Sequence, residues 1–205
     1  MAEKKPTPSL KATANRLIRA LDNYGIPYAI VGGIAASYYG EIRVTRDLDV
    51  AVSISAENAE RLFELFDREG FTPIEYLTVS ELIKKPTLYL LDQRNQTRID
   101  LHINPKGLKL DEETLKRRRL INLGHGWEKI WFISPEDLIT MKITSRRPID
   151  LVDVEHIVAR NLNTLDWRYL KEKASKFNIQ IEVQELVKKF KIKYKSERAS
   201  RKKLA

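Results

Sequence analysis

The chain has 205 residues, 42% of them hydrophobic and 32% charged, with a formal net charge of +9 and no cysteine. That length allows one good-sized core with an appendage, or two small domains, while the absence of cysteine excludes a disulfide scaffold and a thiolate metal site. No apolar run approaches membrane-spanning length or follows a basic leader, so a cytoplasmic protein with no membrane contact is expected, and the excess positive charge points to an anionic partner.

Residues 1–7 are polar and proline-containing, and disorder is expected there. Ser9 is placed to cap a helix in which Leu10, Ala14, Leu17, Ile18 and Leu21 recur at helical spacing, ended by Gly25 and Pro27. An apolar run (Tyr28, Ile30, Val31) stops at Gly32-Gly33, a helix-like segment runs to Tyr39, and Asp47 and Asp49 open a second apolar strand over 50–54. Ser55 then caps a helix over 56–69 with Ala59, Leu62, Phe63 and Phe66 on one stripe, closed by Gly70.

A short helix over 78–84 precedes strands at 87–92 and 97–103, joined by a polar turn at 93–96. In the second of these strands Ile99, Leu101 and Ile103 face one way, and Arg98, Asp100 and His102 the other. A charged helix is expected over 111–120 and a strand over 127–133. Ser134-Pro135-Glu136-Asp137 is a strong helix start, and the helix it opens carries Leu138, Ile139, Met141 and Ile143 inward. Two last helices, 166–177 and 182–192, present Trp167, Leu170 and Ala174, and then Val183, Leu186, Val187 and Phe190.

Strand and helix alternate, which is α/β. The expected division is an α/β core over 1–133, a helical lobe over 134–195 and a basic tail over 196–205, with the two lobes forming a cleft for a small ligand.

The stretch from Tyr28 to Ser53 carries the chemistry. Successive strand side chains alternate faces, so Asp47 and Asp49 share one face while Leu48 and Val50 take the other. Two carboxylates so placed repel unless a positive group sits between them. A divalent cation such as Mg²⁺ suits the pair, since hard cations take carboxylate and phosphate oxygens. Gly32 and Gly33, lacking a Cβ, let a phosphate approach the main-chain N–H groups at the start of the next helix.

Gly-Gly, the thirteen residues Ile34 to Arg46, then Asp-Leu-Asp-Val resembles the signature of the DNA polymerase β-like nucleotidyltransferase superfamily. Arg43-Val-Thr45-Arg-Asp47-Leu-Asp49 looks most like its AbiEii-type branch, which contains toxin nucleotidyltransferases. The resemblance implies a small mixed sheet flanked by helices with a helical C-terminal lobe. It also implies transfer of NMP from an NTP to an acceptor hydroxyl. Two Mg²⁺ ions, with Mn²⁺ as a substitute, would be held by Asp47 and Asp49, and Asp100 is the third acid and the general-base candidate.

Many members place a hydroxyl on the phosphate directly after the glycines. Here Ile34 stands in that position, leaving the backbone amides of Gly32 and Gly33, and Ser37, as candidates. Arg43 supplies positive charge near the phosphates, and Thr45 offers either a phosphate contact or a turn cap. Downstream, Lys142-Ile-Thr-Ser-Arg-Arg147-Pro-Ile-Asp150-Leu-Val-Asp153 resembles a second motif of the same branch. It implies a Lys142 contact to the triphosphate, with Arg147 and Asp150 shaping the site or, alternatively, forming a structural ion pair.

Asp92 and Asp111 compete with Asp100 for the role of third acid, but neither has apolar residues on both sides within a clear strand. His102, His125 and His156 lack the spacing of a zinc site, and His102 is expected to be an ordinary sheet histidine. Positive charge concentrates at 116–119 and from Lys188 onward, marking either solvated faces or contacts to RNA or a tRNA end. RNA is therefore the first acceptor considered, ahead of a protein hydroxyl or a small molecule such as an aminoglycoside. The alternatives are a toxin paired with a cognate antitoxin and a non-catalytic nucleic-acid-binding or regulatory protein that keeps the fold.

Overall fold

The computed structural model describes residues 10–103 and 112–190. The polar start, Ser9, Asp111 and the expected basic tail lie outside the described residues. The chain divides into two units. One comprises the residues up to Ala35 together with Arg43–Ser134, and the other comprises Ala36–Ile42 together with the chain from Pro135 onward.

Helix α1 (Leu10–Asn23) buries Ala14, Leu17, Ile18 and Leu21, the stripe expected from their spacing. It leads into β1 (Tyr28–Ile30), fully buried, which stops at the glycines opening α2 (Gly32–Tyr39). Strand β2 (Leu48–Val52) starts two residues before the expected apolar run, and Asp47 sits just before it. Helix α3 (Ala56–Glu69) has the expected caps: the Ser55 hydroxyl accepts from the backbone N–H of Asn58, and Gly70 adopts φ +73°.

Strand β3 (Phe71–Pro73) and helix α4 (Val79–Leu82) follow, the latter opened by a Thr78/Glu81 capping box. Strands β4 (Thr87–Asp92) and β5 (Arg98–Ile103) form the expected hairpin. After α5 (Glu112–Lys116) come β6 (Arg119–Asn122) and β7 (Lys129–Phe132).

The fold is mixed α/β, with a seven-stranded sheet in the order β3-β4-β5-β2-β1-β7-β6. β1 pairs antiparallel with β2 and parallel with β7, while β2 pairs parallel with β5. Two strands depart from the sequence expectation. β3 is three residues long, ends in proline and sits at a sheet edge, where proline is tolerated. β6 occupies part of the stretch expected to be a charged helix. It is the opposite edge, its residues are mostly exposed, and turns with positive φ at Gly124, His125 and Gly126 return the chain onto β7. An edge strand buries little, so its sequence lacks the alternation that identifies an interior strand.

Asp92 is fully buried in the β4–β5 turn region. It accepts from the Thr13 hydroxyl, pairs with Arg16, and fixes the turn by accepting the Arg94 backbone N–H. The Arg16 guanidinium also lies 4.7 Å from the centre of the Phe71 ring. This network ties α1 to the hairpin and gives Asp92 a structural part.

The second unit holds α6 (Pro135–Ser145), α7 (Pro148–Asn161), α8 (Trp167–Phe177) and a helix over 180–190, here α9. Leu138, Ile139 and Ile143 are buried as expected; Met141 is half-buried and Lys142 takes an interior position instead. The last carbonyls of α2 are capped from α7: Arg160 donates to Gly40 O and Asn161 to Tyr39 O. Among the described residues no helix is long and apolar enough to cross a membrane.

Candidate active site

The register of β2 on β5 decides how the acids meet. Leu48 pairs with Ile99, Asp49 with Asp100 and Val50 with Leu101. Paired residues on neighbouring strands share a face, with the strands about 4.8 Å apart. The apolar pairs are therefore buried together, while Asp49 and Asp100 stand side by side on the other face, half-buried. Asp47 lies one step before the strand, and its charge acts on both Asp100 and Arg98.

The glycine turn closes over this face. Gly32 has φ +59°, and a Cβ placed on it would fall within the Asp49 carboxylate. A Cβ on Gly33 would lie 2.7 Å from Thr45 Oγ1 and 3.4 Å from Arg43 Nη2. The first unit thus gathers Gly32, Gly33, Arg43, Thr45, Asp47, Asp49 and Asp100 around one backbone turn. Of the two parts open to Thr45, the structure displays turn-holding, since its hydroxyl donates to Asp47 O at 3.4 Å. Ser37, half-buried in α2, belongs to the helical unit.

Two residues that strand parity sets on the face of Asp100, neither of them expected in the site, contact the acids. Arg98 donates from Nε to Asp100 Oδ1 at 2.7 Å and from Nη2 to Oδ2 at 3.0 Å, a bidentate pair. His102, expected to be an ordinary sheet histidine, lies with Nδ1 3.1 Å from the Thr87 hydroxyl and Nε2 3.4 Å from Asp49 Oδ1. Both follow from strand parity, because Arg98, Asp100 and His102 alternate onto one face of β5. Burial raises the Asp100 carboxyl above its ordinary range; Arg98 pulls it down, and the Asp49 and Asp47 charges push it up again.

The oxygen donors, their shared face and their mutual repulsion fit a hard divalent cation in chemistry. Their present orientation stops short of a closed set, because among the described residues no three acidic or histidine side chains converge as a bound ion requires. Both Asp100 oxygens are turned to Arg98.

The second motif forms a cluster inside the helical unit. Lys142 is 1% exposed, and its Nζ donates at 2.7 Å to Asp150 Oδ1 and at 2.7 Å to Asp153 Oδ2. Asp150 also accepts from Ser145 Oγ and Arg147 Nε, each at 2.5 Å. In this structure the Lys142 ammonium is enclosed and satisfied by two carboxylates joining α6 to α7. Of the two parts open to Arg147 and Asp150, the structure displays the ion pair. Burial by itself raises the Asp150 carboxyl, but Arg147, Lys142 and Ser145 outweigh it and leave it below the ordinary range.

No curated protein sequence matches the chain. Among solved structures it resembles the solution structure of the antibiotic-resistance factor ANT(2'')-Ia, at 14% identity over 94% of this chain and 98% of that one, with a TM-score of 0.54. It also resembles an antigenic nucleotidyltransferase-like protein from Paracoccidioides brasiliensis, at 17% identity over 89% and 94% of the two chains and TM-score 0.51. A third likeness is the lincosamide antibiotic adenylyltransferase LnuA, at 14% identity over 74% and 97%, with TM-score 0.52. At such identities the likeness establishes the fold. Residues 8–202 match a family described as "Nucleotidyltransferase of unknown function (DUF6036)", and with the match spanning nearly the whole sequence, the chain belongs to that nucleotidyltransferase family.

Proposed function

We propose that this chain transfers a nucleoside monophosphate from an NTP to an acceptor hydroxyl. The observation that carries the reading is the registered pair Asp49 and Asp100, set beside a glycine turn too tight to admit a side chain. Asp47, Asp49 and Asp100 are the residues that would hold Mg²⁺, or Mn²⁺ in its place. When bound, the metal supplies charge neutralisation at the triphosphate and a lowered pKa at the attacking hydroxyl.

The chain's own groups divide the remaining work. Backbone N–H groups at Gly32 and Gly33 receive phosphate oxygens at the start of α2, where the helix dipole favours an anion. Arg43, beside Gly33, adds positive charge where phosphoryl charge grows. Asp100 receives the proton of the acceptor hydroxyl, a task that suits a carboxyl raised above its ordinary range.

RNA is the proposed acceptor class, on the strength of the net charge of +9. The competing class is a small-molecule hydroxyl. Of the structural neighbours, one ANT(2'')-Ia structure is a complex with adenylyl-2''-tobramycin and the LnuA structure is lincomycin-bound. The AbiEii-like motif adds a proposed toxin role with a cognate antitoxin, which predicts growth arrest on expression that disappears with Asp49→Ala.

The reaction is tested by incubating the protein with each labelled NTP, Mg²⁺ and total cellular RNA. Label entering RNA with wild type and not with Asp49→Ala supports the proposal. Label entering no macromolecule or small molecule under any NTP favours a non-catalytic binding protein on the same fold.

A further inference from the structure

We infer that Arg98 is a built-in counterion which occupies Asp100 when the acids hold no cation and has to release it for a divalent ion to be bound. The inference rests on the proposed reading of Asp47, Asp49 and Asp100 as cation ligands.

Arg98 and Asp100 are two apart on β5 and so project from the same face. The guanidinium takes both oxygens of Asp100 in parallel hydrogen bonds, leaving neither wholly free for coordination. It also lies 4.6 Å from the centre of the Tyr89 ring. Tyr89 is the cross-strand partner of Asp100 on β4, just as Asp49 is its partner on β2. Asp100 is therefore flanked by an aromatic stacking surface on one side and a second carboxylate on the other.

Asp49, the cross-strand partner of Asp100, and Asp47, just before β2, both bring negative charge to bear on Asp100, and such acids repel unless positive charge is present. The +1 of Arg98 answers part of that repulsion, and the price is that Asp100 is turned toward its own strand neighbour. With Asp100 so turned, no three acidic or histidine side chains converge among the described residues. The Arg98 side chain is 46% exposed, whereas that of Asp100 is 16% exposed. Releasing the arginine into water, with its stack on Tyr89 kept, is thus far easier than moving the aspartate. A divalent ion bringing twice the charge to the same oxygens displaces a monovalent competitor.

The test is a titration of the full-length protein with Mn²⁺, followed by electron paramagnetic resonance, for wild type, Arg98→Ala and Asp49→Ala. Arg98→Ala is expected to bind Mn²⁺ about tenfold more tightly, as one competing charge at contact distance predicts, while Asp49→Ala loses the site. Unchanged or weaker binding by Arg98→Ala, with binding still dependent on Asp49, overturns the counterion role and leaves the cation site standing. Binding indifferent to Asp49 in every variant overturns both.

A second measurement uses unaltered protein: the ¹⁵Nε–H resonance of Arg98 during addition of diamagnetic Mg²⁺. It is expected to leave its carboxylate-bound position as the ion saturates, and not to do so in Asp49→Ala. A resonance that holds its position at saturation overturns the proposal.

Discussion

Gly32 lies directly against the Asp49 carboxylate, at a separation that leaves no room for even a methyl group. The turn residue and the strand residue therefore define one object, a backbone corner that presents N–H groups beside an acid. Each constrains the other: the glycine needs φ +59°, and the acid needs the space a side chain would take.

Substituting Gly32→Ala tests that relationship. A left-handed conformation costs a residue with a Cβ about 1–2 kcal/mol, and the methyl group must also displace Asp49. Chemical denaturation is expected to show a loss of at least that size, and nucleotide transfer is expected to fall further than stability accounts for. Gly70, at φ +73° with nothing near its missing Cβ, is the control. Gly70→Ala is expected to lose comparable backbone energy and keep its activity.

Removing the acids should separate chemistry from folding. Asp49→Ala is expected to reduce transfer by a factor on the order of 10³ or more while leaving the unfolding midpoint nearly unchanged. Asp100 permits a signed statement. Its folded pKa lies above the ordinary 3.8, so ionising it costs stability that appears as pH rises from 3.8 through the folded value and is fully present above. Asp100→Asn is therefore expected to be at least as stable as wild type at neutral pH, by urea denaturation, and inactive.

Lys142 gives the opposite result. Taking one member from a buried, paired charge leaves its partners uncompensated and typically costs about 3–5 kcal/mol. Lys142→Ala is expected to lower the melting temperature sharply, with activity declining in step with the folded fraction. A variant that melts like wild type but fails to use NTP would instead support a Lys142 contact to the triphosphate.

Acid should unfold the protein through two particular carboxylates. Burial raises both Asp150 and Asp92. For Asp150 the Arg147, Lys142 and Ser145 contacts outweigh it, and for Asp92 those of Thr13, the Arg94 backbone and Arg16, so each folded pKa ends below 3.8. Their contribution is present in full above 3.8 and is lost as pH falls through the folded values. Urea midpoints measured between pH 7 and pH 2 are expected to drop in that acid window, and Asp150→Asn should flatten the dependence.

Much of the fold was legible because its signals are local. The α1 stripe, the Ser55 and Gly70 caps of α3, the β4–β5 hairpin and the Ser134-Pro135 start of α6 each rest on residues within a few positions of one another. The edge strands β3 and β6 were not legible, since a strand with little to bury shows neither apolar alternation nor clear boundaries. Part of the site could also be read: strand parity placed Asp49 and Asp100 on polar faces, and the glycine pair marked a close backbone approach.

By itself, then, the sequence determined which residues repeat at helix or strand spacing, where caps and turns stand, and which acids face away from apolar neighbours. Only the tertiary structure decided that Asp49 pairs with Asp100, that Arg98 and His102 join them, and that Lys142 is spent inside an ion-pair cluster. Period and capping are properties of neighbouring residues along the chain. Register and the burial of charge depend on segments far apart in sequence, whose mutual alignment is set by the packing of the whole sheet and its helices.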